Sequence, residues 1–186
     1  MKALWGMEEP APQAVDRIAE AGYRGFSAVL DGAREVRAAG RDLPAVVLLF
    51  PFRGSELADG LREAADLGAI AVNVHGGKDW FSDEEADGFF GEALEAVAAQ
   101  SLPVVFETHR GRLLDTPKSA RRVLERFPSL RLCADFSHWT VVCESYLEDQ
   151  SDAVDLAISR TGMIHARVGH PEGPQVPDPR WDRWSG

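Results

Sequence analysis

The constraint that acts most strongly on this chain is a sevenfold alternation of short apolar runs with segments of helical periodicity. Apolar runs fall at 2–7, 25–30, 45–50, 70–75, 104–106, 130–134 and 163–168. They are too short for core helices and too continuously apolar for strands with one wet face, so they read as parallel strands covered on both sides. Between them lie helical patterns. Val15, Ile18 and Ala19 precede a stop at Gly22, and Asp31 caps a segment carrying Val36 to Gly40. Ser55 opens a stripe of Leu57, Leu61, Ala64 and Ala65 that closes at Gly68. Ser82 and Glu85 have the form of a capping box before Phe89, Phe90, Leu94 and Val97. Pro117 suits the first turn of a helix bearing Val123, Leu124 and Phe127, and a weaker pattern spans 152–160.

Strand and helix joined by short connections give a parallel sheet, and right-handed crossovers let such a sheet curl into a barrel. The fold class is therefore α/β, a (β/α) barrel of the TIM type with seven predicted strands in a single domain over 1–186. Over 170–186 the pattern fails, because Pro171, Pro174, Pro177 and Pro179 forbid a regular element, while Trp181 and Trp184 need something to pack on. A complete barrel usually takes about 250 residues, and the sequence holds 186. The eighth βα unit reads as missing or replaced by this Pro-rich tail.

A net charge of −10 speaks against a nucleic-acid partner, whose phosphates are met by clustered Lys and Arg. Cys133 and Cys143 lack the Cys-x-x-Cys spacing of a metal pair and read as reduced structural thiols. No run approaches the roughly 18 apolar residues of a membrane span and no basic-then-apolar leader opens the chain, so a cytoplasmic protein is expected. No glycine-rich phosphate loop points to a nucleotide cofactor.

The chemistry-bearing residues gather where strands end. The run 104–106 stops at Glu107, with His109 on the same face about 7 Å further on. The run 130–134 stops at Asp135, with His138 just beyond, and 163–168 contains His165 and Arg167. Ionised carboxylates at the rim of a packed core cost several kcal/mol each unless neutralised, and a divalent cation does this with few groups. The expectation is a metal held by Glu107, Asp135 and His165. Each residue also has a plainer role open to it: Glu107 as an ion-pair partner of Arg110 or Arg112, Asp135 as a cap for the next turn, His165 as a hydrogen-bonded core histidine. Trp80, Phe81, Trp139, Trp181 and Trp184 are read as core or interface packing rather than sugar platforms.

Glu107-Thr108-His109-Arg110, Asp135-Phe136-Ser137-His138, His165-Ala166-Arg167 and the tail motif Gly-Pro-Gln-Val-Pro-Asp-Pro at 173–179 resemble the xylose isomerase-like superfamily of sugar isomerases and epimerases. The resemblance implies a divalent metal (Mn, Mg, Co or Zn) held by Glu, Asp, His and a second Glu from strand eight, with the glutamates also moving protons. Glu107, Asp135 and His165 match the first three. The fourth has no counterpart, and Asp178 and Asp182 are the tail carboxylates available. By the same resemblance Glu107 and His138 are the catalytic candidates. His138 and Arg167 would hold substrate oxygens, His75 and His109 would line the pocket, and Arg110 and Arg112 would add positive field.

The implied function is a metal-dependent isomerase or epimerase of a sugar or sugar phosphate acting by metal-assisted proton transfer; loss of the second glutamate can impair it but need not abolish it, since three protein ligands suffice for a catalytic metal with an open position. Two other readings stand beside it: a catalytically silent barrel that binds a sugar or partner, and a metallohydrolase like the endonuclease IV branch of the superfamily. The acidic charge and few extra ligands weigh against the latter. An open barrel edge would leave backbone groups unpaired, so either the tail or a second subunit, in a homo-oligomer, is expected to cover it.

Overall fold

A computed structural model describes residues 1–173, 175, 176, 178, 180 and 181. Seven strands pair in chain order, each parallel to the next: β1 (Lys2–Ala3), β2 (Phe26–Val29), β3 (Ala45–Leu49), β4 (Ala71–Val74), β5 (Val104–Glu107), β6 (Leu132–Ala134) and β7 (Thr161–Ile164). Between them run α1 (Ala11–Glu20), α2 (Leu30–Ala38), α3 (Leu57–Asp66), α4 (Asp83–Ala98), α5 (Pro117–Arg126), α6 (Phe136–Cys143) and α7 (Ser151–Arg160). The sheet curls as a TIM-type barrel lacking one unit, and no pairing joins β7 to β1 among the described residues.

Alternation along the strands separates two buried layers. Ala45, Val47 and Leu49, with Val72, Val74, Val104, Phe106 and Leu132, pack against helix residues such as Val15, Leu61, Phe90 and Leu124. The intervening Ser27, Val46, Leu48, Asn73, Val105 and Cys133 are equally buried but lie outside that helix-facing cluster, on the concave face. Residues at positions 107 and 135 continue this inner set. Parallel strands put all their C-terminal ends on one side, so one rim of the barrel collects them.

The predicted helix starts hold at α4 and α5. Ser82 Oγ accepts from the Glu85 N–H while the Glu85 carboxylate accepts from the Ser82 N–H at 2.7 Å. Thr116 Oγ1 accepts from the Ser119 N–H at 3.1 Å, ahead of Pro117. At α2, by contrast, Asp31 lies inside the first turn and Val29 occupies the cap, with no side-chain bond. β1 is two residues long instead of six, because Leu4 to Met7 turn back on themselves through the Met7 N–H and Leu4 carbonyl. β7 begins two residues earlier than its apolar run and ends at Ile164, which leaves His165 and Arg167 just past the strand.

One helix carries no sequence signal of its own. α6 reads Phe-Ser-His-Trp-Thr-Val-Val-Cys, apolar nearly all round and rich in β-branched residues, so no helical stripe stands out. Tertiary packing decides it: Trp139 is fully buried, stacks on Phe136 and donates its indole N–H to the Leu114 carbonyl at 2.8 Å.

Where caps and core are compared on α5, the core should dominate. Thr116→Ala should cost about 1 kcal/mol of unfolding free energy in urea, and Leu124→Ala, which empties a fully buried site, about 2–5 kcal/mol.

Candidate metal centre

The period-two alternation that fills the concave face also aims the rim residues at one another. Asn73 and His75 at the end of β4, Glu107 and His109 at the end of β5, and Cys133 and Asp135 at the end of β6 each form an i, i+2 pair on the inner side. His138 joins them from the first turn of α6, three residues after Asp135, and His165 from the end of β7. The turn after His75 depends on glycine: Gly77 has φ +55°, and a Cβ there would meet Leu113 at 2.6 Å.

Glu107 is the centre of the arrangement and is buried. Its Oε2 lies 2.9 Å from His75 Nε2 and 3.2 Å from His165 Nδ1, and accepts a short hydrogen bond from the Asn73 amide. Its Oε1 is 3.9 Å from His138 Nε2, which stands 3.6 Å from Asp135 Oδ2. The imidazoles form a row, with ring centroids 4.8 Å apart for His75 and His109 and 3.9 Å for His109 and His138. Phe50 closes the row against His75 at 4.6 Å.

Supporting bonds hold the two carboxylates. Ser137 donates a short hydrogen bond to Asp135 Oδ1, and the Asp135 N–H donates to Thr108 Oγ1 at 2.8 Å. Gln175, from the tail, donates to Ser137 Oγ at 2.7 Å and sits 3.2 Å from His138 Nε2. His109 Nδ1 is 2.7 Å from the Arg110 carbonyl. A carbonyl only accepts, so the neutral ring carries its proton on Nδ1 and leaves Nε2 as the acceptor.

The electrostatics follow from burial set against these bonds. Burial opposes ionisation of Glu107, yet hydrogen bonds from His165 and His75 outweigh it and hold the carboxyl well below the usual range. Burial pushes Asp135 up, against the bond from Ser137, and the charge of Glu107 adds to the rise. The same burial lowers His109 and takes His138 down to about 3, so both rings are neutral. His165 also suffers burial, but its bond to Glu107 prevails and raises it. Burial raises the Cys133 thiol, with Glu107 and Asp135 adding to the effect.

The donor set fits a divalent cation. Asp135 Oδ2 and His138 Nδ1 are buried and make no hydrogen bond among the described residues. Two atoms bound to one ion at about 2.0–2.1 Å lie no more than roughly 4 Å apart, and the contacts from Glu107 to His75, His138 and His165 and from His138 to Asp135 run from 2.9 to 3.9 Å. Glu107 is shared by three groups of ligand atoms lying within 4.8 Å of one another: with His75 and His109, with Cys133 and His165, and with Asp135 and His138.

Of the plainer roles, the arginine pair for Glu107 is not formed. Arg112 donates to the Gly77 carbonyl and lies over the Phe50 ring, and Arg110 makes no ion pair among the described residues. Asp135 stands at the α6 cap position without a side-chain capping bond. Arg167 lies 5.1 Å over the Trp5 ring at the rim, where its charge works against the rise of both Asp135 and His165 without reversing it. Asp178 is bound by Arg180 within the tail, and Asp182 and Trp184 lie outside the described residues. Asn73, Thr108, Ser137 and Gln175 were not singled out by sequence. For Asn73 the Asn-x-His spacing carried a signal, whereas nothing local marks Gln175.

Solved structures share the fold. Three of them are the probable 3-DHS dehydratase AsbF of Bacillus anthracis (16% identity, TM-score 0.61, covering 83% of this chain and 66% of that one), protein SMc04130 of Sinorhizobium meliloti (18%, 0.58, 82% and 66%) and the dihydrodipicolinate synthase of Acinetobacter baumannii (17%, 0.59, 83% and 55%). The chain thus spans less than two thirds of the length of each. No curated protein sequence matches it. Among the described residues no helix is long and apolar enough to cross a membrane. Residues 53–177, from the end of β3 through the rim histidines to the tail, match the xylose isomerase-like TIM barrel family, and the chain belongs to that family.

Proposed function

We propose that the chain binds a divalent metal through Glu107, Asp135 and His165 and isomerises a small sugar or sugar phosphate by proton transfer. The observation that carries this reading is the buried, ionised Glu107 ringed by His75, His138 and His165, beside an Asp135 oxygen with no hydrogen bond. The bound ion would supply Lewis acidity, polarising a carbonyl or hydroxyl oxygen.

The remaining work falls to side chains. Glu107, kept ionised, is ligand and proton acceptor. His138 is neutral, reaches both carboxylates through Nε2 and is the second proton carrier in place of a strand-eight glutamate. His109, with its proton fixed on Nδ1, offers Nε2 to a substrate hydroxyl, and His75 and Phe50 form the wall beside it. Arg167 stands where a substrate oxygen or anionic group would approach Asp135. Moving a proton between neighbouring carbons on one face of an enediolate needs one carrier, whereas inverting a carbon needs carriers on both faces. Glu107 and His138, 3.9 Å apart, stand too close to flank a carbon from opposite faces, which favours isomerisation over epimerisation.

Two measurements test the proposal. Metal analysis of the purified protein should find a divalent ion that Glu107→Ala and His165→Ala each deplete, and undiminished metal in both variants would remove the site. Aldose and ketose panels with added Mn²⁺, Mg²⁺, Co²⁺ or Zn²⁺ should show interconversion that a chelator abolishes. His138→Gln should lower kcat by about 10²- to 10⁴-fold, and silence across every panel would leave a binding barrel without chemistry.

A further inference from the structure

Cys133 is the one donor of the rim cluster that the proposed function leaves unused. It sits on β6, the strand between those that carry Glu107 and His165, and its backbone pairs with Glu107 on one side and Met163 on the other. It precedes Asp135 by two residues and so faces the same concave side, one layer deeper. Its sulfur lies within 4.8 Å of ligand atoms on both Glu107 and His165. Although fully buried, it is outside the helix-facing apolar core, and its sulfur has a carboxylate and an imidazole within reach. Asp135, also fully buried, presents beside it an Oδ2 with no hydrogen bond.

We propose that Cys133 is a metal ligand, supplying from β6 the further donor that no strand-eight carboxylate provides, so that the ion is held by Glu107, Cys133 and His165 together with Asp135. The inference rests on the metal-binding reading above and narrows it. A thiolate with imidazole and carboxylate suits a thiophilic ion such as Zn²⁺ or Co²⁺, while Mg²⁺ takes oxygen donors and a rigid octahedron. Binding breaks the S–H bond: the proton leaves to solvent and the sulfur electron pair goes to the ion, so loading releases one proton per site from this residue. Glu107, Cys133 and His165 would then hold the ion from β5, β6 and the end of β7, with His138 left free for the substrate.

Cobalt reports on the ligand directly, because a thiolate bound to Co²⁺ gives an intense charge-transfer band in the near ultraviolet that oxygen and nitrogen ligands do not. The full chain, reduced and stripped of metal, is titrated with Co²⁺. The band should grow to saturation with one equivalent of ion, persist in Cys143→Ser and vanish in Cys133→Ser. Cys133→Ser should weaken Co²⁺ binding by at least the roughly 10- to 100-fold that loss of a mere outer-sphere partner costs, and Zn²⁺ should displace Co²⁺ where excess Mg²⁺ does not. Wild-type protein that binds Co²⁺ without the band overturns the thiolate while leaving the metal centre intact. Protein that binds no Co²⁺ overturns both. Should Cys133→Ser fail to fold, wild type and Cys143→Ser decide alone, since the chain has only two cysteines: a band lost in Cys143→Ser assigns it to the wrong residue and overturns the proposal.

Discussion

An ionised carboxylate buried in the mouth of an apolar barrel is the interaction on which the rest of the site depends. Taking Glu107 out of water costs several kcal/mol after relaxation, and no arginine or lysine lies within ion-pair distance of it among the described residues. What stabilises it is a ring of polarisable donors: His75, His165 and the Asn73 amide, each brought to it by the end of a different strand or by alternation along one. That ring is fixed by backbone register, because β4, β5, β6 and β7 pair in order and all end on the same rim. Asp135 enters the same space at a disadvantage, raised by burial and by the charge of Glu107. Two buried carboxylates so close together call for a cation.

The same physics explains the tail. A barrel with seven strands leaves two edges whose N–H and C=O groups lack partners in the sheet, and exposed Trp5, just after β1, and Ile164, on β7, stand beside them. After His165 the chain does not continue as a strand. It returns across the start of α6, where Gly169 packs so closely that a Cβ would lie 2.5 Å from the Ser137 carbonyl, and the Val176 N–H bonds the Val168 carbonyl. Gln175 is thereby delivered to Ser137 and His138. The tail thus steadies Asp135 and His138 through Ser137, which is a supporting role, and supplies no carboxylate to the centre through Asp178.

How much of this was legible in the sequence depended on the range of the interaction. The seven strands, the parallel order, the capped start of α4 and the proline start of α5 came from apolar periodicity and local residue pattern, which are written within a few residues. Glu107, Asp135 and His165 stood out because each interrupts an apolar run at a strand end. α6 was hidden, since its residues are buried on nearly all sides and its helix is selected by Trp139 packing rather than by a stripe. β1 and β7 were misplaced at their ends because edge strands are bounded by pairing on one side only. Cys133 opposite Glu107 is a matter of strand register, and Gln175 beside His138 spans 37 residues. Neither is expressed in local composition.

Geometry also limits the chemistry. Glu107 at the end of β5 and His138 in the first turn of α6 lie 3.9 Å apart, too close for a substrate to enter between them, so both face it from one side. In a closed barrel the eighth strand stands beside the first, across the mouth from β5, and a base there would meet the opposite face. This chain has arginine and tryptophan on that side, Arg167 over Trp5, which can bind an oxygen anion or a sugar face but cannot carry a proton away at neutral pH. On the proposed function the rim would therefore be asymmetric, with the proton-carrying groups on β5 and α6 and a fixed cation, Arg167, over Trp5 on the other side.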